Sequence, residues 1–229
     1  GGMGIIVFSI AILPLLGIGG VQLFKAEVAG PTADKITPRI KQTAKLLWGI
    51  YIGFIFIQSI ILYFQGMTYF DAICHSFGTM ATGGFSTHSE SIKYFNNTGI
   101  EWTMILFMFI AGTNFSLHYL FINKRKFNYM KNEEFRVYLY IFILISISIF
   151  LNLSFSTFLS YDFDFNTFRH STFTTISLLS TTGFGTENFD LWPEYSKMII
   201  FLLFFLGGSA GSTTGGLETI TWNHGVGAG

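Results

Sequence analysis

Long apolar runs alternate with short polar stretches along this chain, and the run lengths set the elements. Apolar segments cover 4–24, 44–64, 102–121, 135–155, and 195–206 and beyond. Most are about 20 residues, the length a helix needs to cross a hydrocarbon core of roughly 30 Å. Two shorter runs, 70–80 and 168–179, are too short to span. Each follows a full-length run and precedes a polar, glycine-bearing phrase. The pattern predicts spanning helices paired with short re-entrant ones.

The two phrases are related. Thr82-Gly83-Gly84-Phe85-Ser86-Thr87 and Thr181-Thr182-Gly183-Phe184-Gly185-Thr186 lie 99 positions apart. Inside a membrane, non-helical backbone is tolerated only where protein buries it or it lines a water-filled cavity. Two Thr-x-Gly-Phe loops in equivalent places suggest carbonyl oxygens arranged around an ion path. Gly83, Gly84, Gly183 and Gly185 adopt positive φ cheaply, as a carbonyl-lined path demands. Thr82, Thr181 and Thr182 offer carbonyl and hydroxyl oxygens, hard ligands for a dehydrated alkali cation. Phe85 and Phe184 are expected to wedge the loops against surrounding helices.

Composition and charge narrow the class. Half of the 229 residues are hydrophobic and 11% are charged, which places the chain among polytopic membrane proteins. The net charge of +0 gives no reason to expect nucleic acid. Cys74 is the only cysteine, so no intrachain disulfide or multi-cysteine metal site is available. Lys25, Lys35, Arg39, Lys41 and Lys45 cluster before the second run, and Lys124, Arg125, Lys126, Lys131 and Arg136 between the third and fourth. By the positive-inside rule both loops are cytoplasmic. Asp71, Glu90, Glu101, Asp162, Asp164, Glu187, Asp190 and Glu194 then fall on the outer side with both phrases. There they either concentrate cations or are simply solvated.

The repeat extends further. Residues 109–114 line up with 205–210, and Gly1-Gly2-Met3-Gly4 reads as a truncated third copy of the same place. The opening is apolar and lacks a basic n-region, so the chain is read as beginning within a helix, without a cleavable signal peptide. The unit is span, short helix, loop, span, at a period near 100 residues, as in transport proteins built by pseudo-symmetry. The fold class expected is an all-α membrane protein of repeated helix–pore-loop–helix units.

These residues resemble the Trk/Ktr/HKT superfamily of potassium transporters, most closely its bacterial Trk-type pore subunit. The marks are residues 1–6, Met80-Ala81-Thr82-Gly83-Gly84-Phe85-Ser86-Thr87-His88, Ser180-Thr181-Thr182-Gly183-Phe184 and Gly207-Gly208-Ser209-Ala210-Gly211-Ser212-Thr213. The resemblance implies four repeats around one pore, each giving one filter segment, of which this chain carries less than the full set. Repeat one is then represented by its last helix, 1–24, followed by a cytoplasmic linker, 25–43. Repeat two covers 44–122 with filter segment 82–86, and a cytoplasmic loop covers 123–134. Repeat three covers 135–218 with filter segment 181–185, and 219–229 is an atypical tail.

By the same resemblance K+ is the transported ion, held by Thr82, Gly83, Gly84, Phe85, Thr181, Thr182, Gly183 and Phe184, with no covalently bound cofactor. Gly84 and Gly183 match the central filter glycine. Implied too are the bacterial inner membrane, a homodimer, and a cytoplasmic nucleotide-binding regulatory subunit of TrkA type. Alternatives are a sodium-permeable or mixed cation transporter, or a non-conducting remnant that only associates with membrane partners.

Glycine and serine at the density of 207–216 weaken a spanning helix and predict a break or loop. The resemblance makes Gly207, Gly208, Ser209, Ala210, Gly211, Ser212, Thr213, Thr214, Gly215 and Gly216 a gating loop beneath the filter. Close helix packing through small residues is the alternative. The same stretch satisfies Gly-x-Ser-x-Gly, but neither a strand-to-helix elbow nor a histidine partner for Ser209 is evident, so no enzyme is expected. Asp71 reads as a capping anion and His75 with Cys74 as packing residues. Asn114 reads as mid-span and His118 as interfacial.

Overall fold

The computed structural model describes residues 40–124, 129–155 and 164–215. The segments 1–24 and 219–229, most of the linker 25–43, and Arg125, Lys126, Asp162 and Gly216 lie outside the described residues.

The first helix, α1 (Ile40–Phe64), is apolar almost all round, the signature of a helix in lipid. Its 25 residues cover about 37 Å at about 1.5 Å each, enough to span. Gly66, at φ 106°, ends it. Met67 N–H donates to the Leu62 carbonyl and Gly66 N–H to that of Tyr63, a Schellman closure with Met67 buried behind it. Two residues later α2 (Tyr69–Met80) starts, with Thr68 accepting from Asp71 N–H. The phrase at 82–87 follows, then a 3₁₀ turn (Ser91–Phe95). Asn97 caps α3 (Thr98–Ala111), and α4 (Phe115–Lys124) follows.

The second unit repeats the order. A 3₁₀ turn (Tyr129–Lys131) precedes α5 (Glu133–Phe155), and Asp164 caps α6 (Phe165–Leu179). The phrase at 181–186 follows, then a 3₁₀ turn (Phe189–Leu191) and α7 (Glu194–Leu203). Helices α1 and α5 are each long and apolar enough to cross a membrane by length and composition. The fold is all-helical among the described residues, in repeated helix–loop–helix units.

One run differs from its sequence pattern. Residues 102–121 form not one straight span but α3 and α4, bent by 99° at Gly112–Asn114. The carbonyls this break frees are taken elsewhere: Phe109 by the Thr113 hydroxyl, Ile110 by His118 Nε2, Ala111 by Thr213, and Gly112 by Ser209 N–H. These four acceptors thus have donors, which makes the break tolerable at membrane depth.

Polarity is inverted relative to a water-soluble bundle. The short helix α6 buries Thr167, Ser171, Thr174, Thr175 and Ser177, whereas Phe56, Phe64 and Leu144 of the long helices are exposed. Many of the buried hydroxyls return to carbonyls of their own helix, as Thr172 does to Phe168 and Thr175 to Ser171. The main core cluster joins Leu62, Ala72, Met104, Met108, Phe173, Ile176 and Phe184, so α1, α2, α3 and α6 meet beside the second loop.

Candidate functional site

Each phrase is the C-terminal exit of a short helix, and the two exits are the same structure. In the first, Ala81 N–H donates to Phe77, Thr82 N–H to Thr79, and both Gly83 and Gly84 N–H to the Gly78 carbonyl. Ser180, Thr181, Thr182 and Gly183 make the corresponding bonds to Ile176, Leu178 and Ser177, each 99 positions on. Thr82 (φ 49°) and Thr181 (φ 53°) are both left-handed, as are Gly84 (φ 64°) and Gly183 (φ 89°). A threonine there is strained by about 1–3 kcal/mol, so the surroundings must impose it. The loops touch: a Cβ on Gly84 would overlap the carbonyl oxygen of Thr182. Among the described residues, no N–H or hydroxyl donates to the carbonyls of Thr82, Gly83, Gly84, Thr181, Thr182 or Gly183. Six loop acceptors are therefore without a donor from the described residues.

Phe184 is seated as expected, buried with its ring 5.7 Å from that of His75. Phe85 is not. Among the described residues it is 83% exposed, whereas Phe184 packs on the other unit's short helix beside His75 and Gly78.

The residues 207–215 form a loop, with 207–210 buried. The loop lies in the α3–α4 break: Ser209 N–H donates to Gly112 O, Phe115 N–H to Gly211 O, and Thr213 to Ala111 O through N–H and hydroxyl. Gly208 is required by contact, since a Cβ there would come within 2.6 Å of the Gly112 carbonyl. Gly208 N–H donates to Thr214, which is bonded to Ser212. Glu134, at the start of α5, accepts from Ala210 N–H. The strained threonines close the assembly from the other side. Thr82 donates its hydroxyl to the Thr213 carbonyl at 2.7 Å, and Gly215 N–H donates to the Thr181 hydroxyl at 2.8 Å. The buried Ser209 hydroxyl has no hydrogen-bond partner among the described residues.

Other polar residues take roles the sequence did not assign. Asp71 is the anion in the first turn of α2 while Thr68 is the N-cap, and the Asp71 carboxylate accepts the hydroxyls of Thr68 and Thr87, both at 2.6 Å. Burial alone would raise this carboxyl, but those hydroxyls, with His88 beside them, hold it below its ordinary value. His118 is not interfacial but buried, bridging Ile110 O and the Tyr129 hydroxyl. Asn114 is in the break rather than mid-span, accepting from Ser116 N–H to start α4. His75 is buried between Asp71 O and the Ser86 hydroxyl.

The residue sequence reasoning passed over is Arg169. It is buried on α6, with Nε 2.6 Å from the Glu101 carboxylate of α3 and further bonds to Thr98 and Asn166. A lone arginine in a short membrane helix is a signal in itself, since such a charge needs a partner. Next to it His170 contacts the Thr186 hydroxyl through Nδ1 at 3.1 Å and Arg169 Nη2 through Nε2 at 3.3 Å. Desolvation lowers the affinity of His170 for a proton, against the pull of Glu187 and Glu101.

Comparison with known proteins places this geometry. Residues 1–224 match the family model TrkH, described as a cation transport protein. The Trk system potassium uptake protein TrkH of Vibrio parahaemolyticus is 43% identical over 224 residues, covering 96% of this chain and 46% of that protein. In Escherichia coli K12, TrkH is 41% identical and TrkG 39%, each aligned over 96% of this chain. The crystal structure of the potassium transporter TrkH from Vibrio parahaemolyticus superposes with a TM-score of 0.77 at 38% identity, covering 97% of this chain and 44% of that one. The chain spans about half the length of the curated relatives it matches.

Proposed function

The chain belongs to the TrkH family of cation transport proteins, and from that membership we propose that it supplies two of four filter segments in a potassium uptake pore. The pore lies in the bacterial inner membrane, with both Thr-x-Gly-Phe loops toward the outside. The observation that carries this reading is the pair of matched left-handed loops whose six carbonyls have no donor among the described residues. Carbonyl oxygens so arranged replace the hydration shell of an alkali cation. K+ is the substrate, held by residues 82–85 and 181–184, and glycine at both central positions, 84 and 183, favours it over Na+.

The 207–216 loop gates passage. Its described part hangs from the filter threonines above and the α3–α4 break beside it, so moving it releases both attachments. A second copy completes a homodimer, and a cytoplasmic nucleotide-binding subunit docks on the basic inner face near Lys131 and Arg136.

The test is growth rescue and ion flux in a bacterium lacking potassium uptake. The full-length gene product containing this sequence rescues growth, and the 229 residues alone do not, since two segments cannot surround an ion. Rescue by the 229 residues alone would overturn that claim. In the full-length product, Gly183→Ser lowers the K+/Na+ flux ratio about tenfold, equivalent to about 1.4 kcal/mol; an unchanged ratio counts against the filter assignment.

A further inference from the structure

The 99-residue offset that relates the two loops also relates the groups bracing their ends. Thr87 and Thr186 close the two phrases, and they are equivalent positions. Thr87 donates its hydroxyl to Asp71 at 2.6 Å, and Thr186 pairs with His170 Nδ1 at 3.1 Å. Asp71 and His170 are themselves 99 apart. One position in the repeat thus performs one task, holding the far end of the loop to its own short helix, with two different side chains.

We propose that Asp71 and His170 are equivalent positioning residues for the two loops, and that His170 makes cation passage respond to outer pH. The proposal rests on the filter reading of those loops.

The proton inventory follows from the contacts. A guanidinium only donates, so Arg169 Nη2 assigns the lone pair to His170 Nε2, and Nδ1 donates to Thr186. The imidazole is therefore neutral as it stands. Acid adds a proton at Nε2, which breaks the Arg169 contact and sets two cations side by side. Glu101 from α3 and Glu187 from the loop face the ring, each about 4.0 Å away, while Arg169 and, from the first 3₁₀ turn, Lys93 oppose the charge. The loop end gains a positive charge where a cation must enter. Imidazole is the side chain whose unperturbed titration falls between about pH 5 and 8. The carboxylate at the equivalent position stays ionised throughout that range. Only one of the two braces switches.

The experiment uses the full-length gene product in liposomes, with K+ and Na+ flux read while pH is stepped on each face in turn. Acidifying the loop side from 7.5 to 5.5 is expected to slow K+ flux on the order of threefold. His170→Asn places an amide near Nδ1 and keeps the bond to Thr186 without a titrating proton. It should retain the K+/Na+ ratio and flatten the pH profile. His170→Ala removes the brace and lowers the ratio at every pH. Thr186→Val cuts the same brace from the other end and should lower the ratio likewise, which keeps the brace testable if the His170 variants do not fold. A pH step that persists in His170→Asn, or that is absent in the parent or arises from the other face, overturns the proposal. Failure of the filter reading is seen separately, as an unchanged ion ratio in Gly183→Ser.

Discussion

The two Thr-x-Gly-Phe loops share a backbone and differ in what surrounds them. Loop 82–87 leaves Phe85 83% exposed, while loop 181–186 buries Phe184 to 3%. At the position that makes the third N–H acceptor of each turn, the first loop has Gly78 and the second Ser177. Ser177 donates its hydroxyl to the Phe184 carbonyl at 2.6 Å. Gly78 does the opposite job: a Cβ there would stand 3.1 Å from both the Phe184 ring and the Phe85 carbonyl. Each loop is thus shaped by its own short helix through backbone N–H groups. Phe184 is received by the short helix of the other unit, beside His75 and Gly78, whereas Phe85 has no such seat among the described residues. Shape is local to a unit, and seating is shared between units.

That division can be broken at three levels. The largest effect is expected at Gly84, where positive φ and the touching Thr182 carbonyl act together. Gly84→Ala should abolish growth rescue by the full-length product, whereas Gly183, with open space around it, loses discrimination before it loses flux. Rescue by Gly84→Ala at wild-type rate would show that the loops do not need their contact.

Next comes seating. Phe184→Ala should destabilise the described core by about 3 kcal/mol, the usual cost of removing a buried ring. Phe85→Ala in the 229-residue chain should cost under about 0.5 kcal/mol, as an exposed site does. Denaturation in detergent monitored by tryptophan fluorescence separates them, and equal losses would refute shared seating. A loss smaller than that of Phe184→Ala is expected from Ser177→Gly, which converts the second turn to the first. It should cost about 1 kcal/mol for the lost hydroxyl bond, visible as a small shift of the same transition.

Much of this was legible from run lengths. The long helices α1 and α5 and the short helices α2 and α6 follow from run lengths, because lipid requires both length and internal hydrogen bonding. The break at Gly112–Asn114 was not read from the run length, although Gly112, Thr113 and Asn114 interrupt the apolar run there. Its cause is 100 residues away, in the loop whose Ser209 and Thr213 take the carbonyls it frees. His118 was misread for the same reason, because its partner is the Ile110 carbonyl that the break exposes. Phe85 was expected to wedge because its repeat mate does, but equal sequence places do not have equal neighbours. Residue type predicted left-handed φ at Gly83, Gly84, Gly183 and Gly185, but of these four Gly84 and Gly183 alone have it, and Thr82 and Thr181 take it instead, held by partners distant in sequence.

The α3–α4 bend has a consequence for biogenesis. The ribosome delivers residues 98–124 to the membrane before 207–215 exist. Until that later segment arrives, the carbonyls of Ala111 and Gly112 lack the donors they have in the finished fold, and lipid supplies none. The nascent stretch satisfies them by staying a straight helix, so it should first insert as an ordinary span and fold over only when the downstream loop is made. A translation-arrested chain ending after α5 would therefore show single-cysteine labelling typical of a continuous helix across 98–124, while the released chain would show the bend.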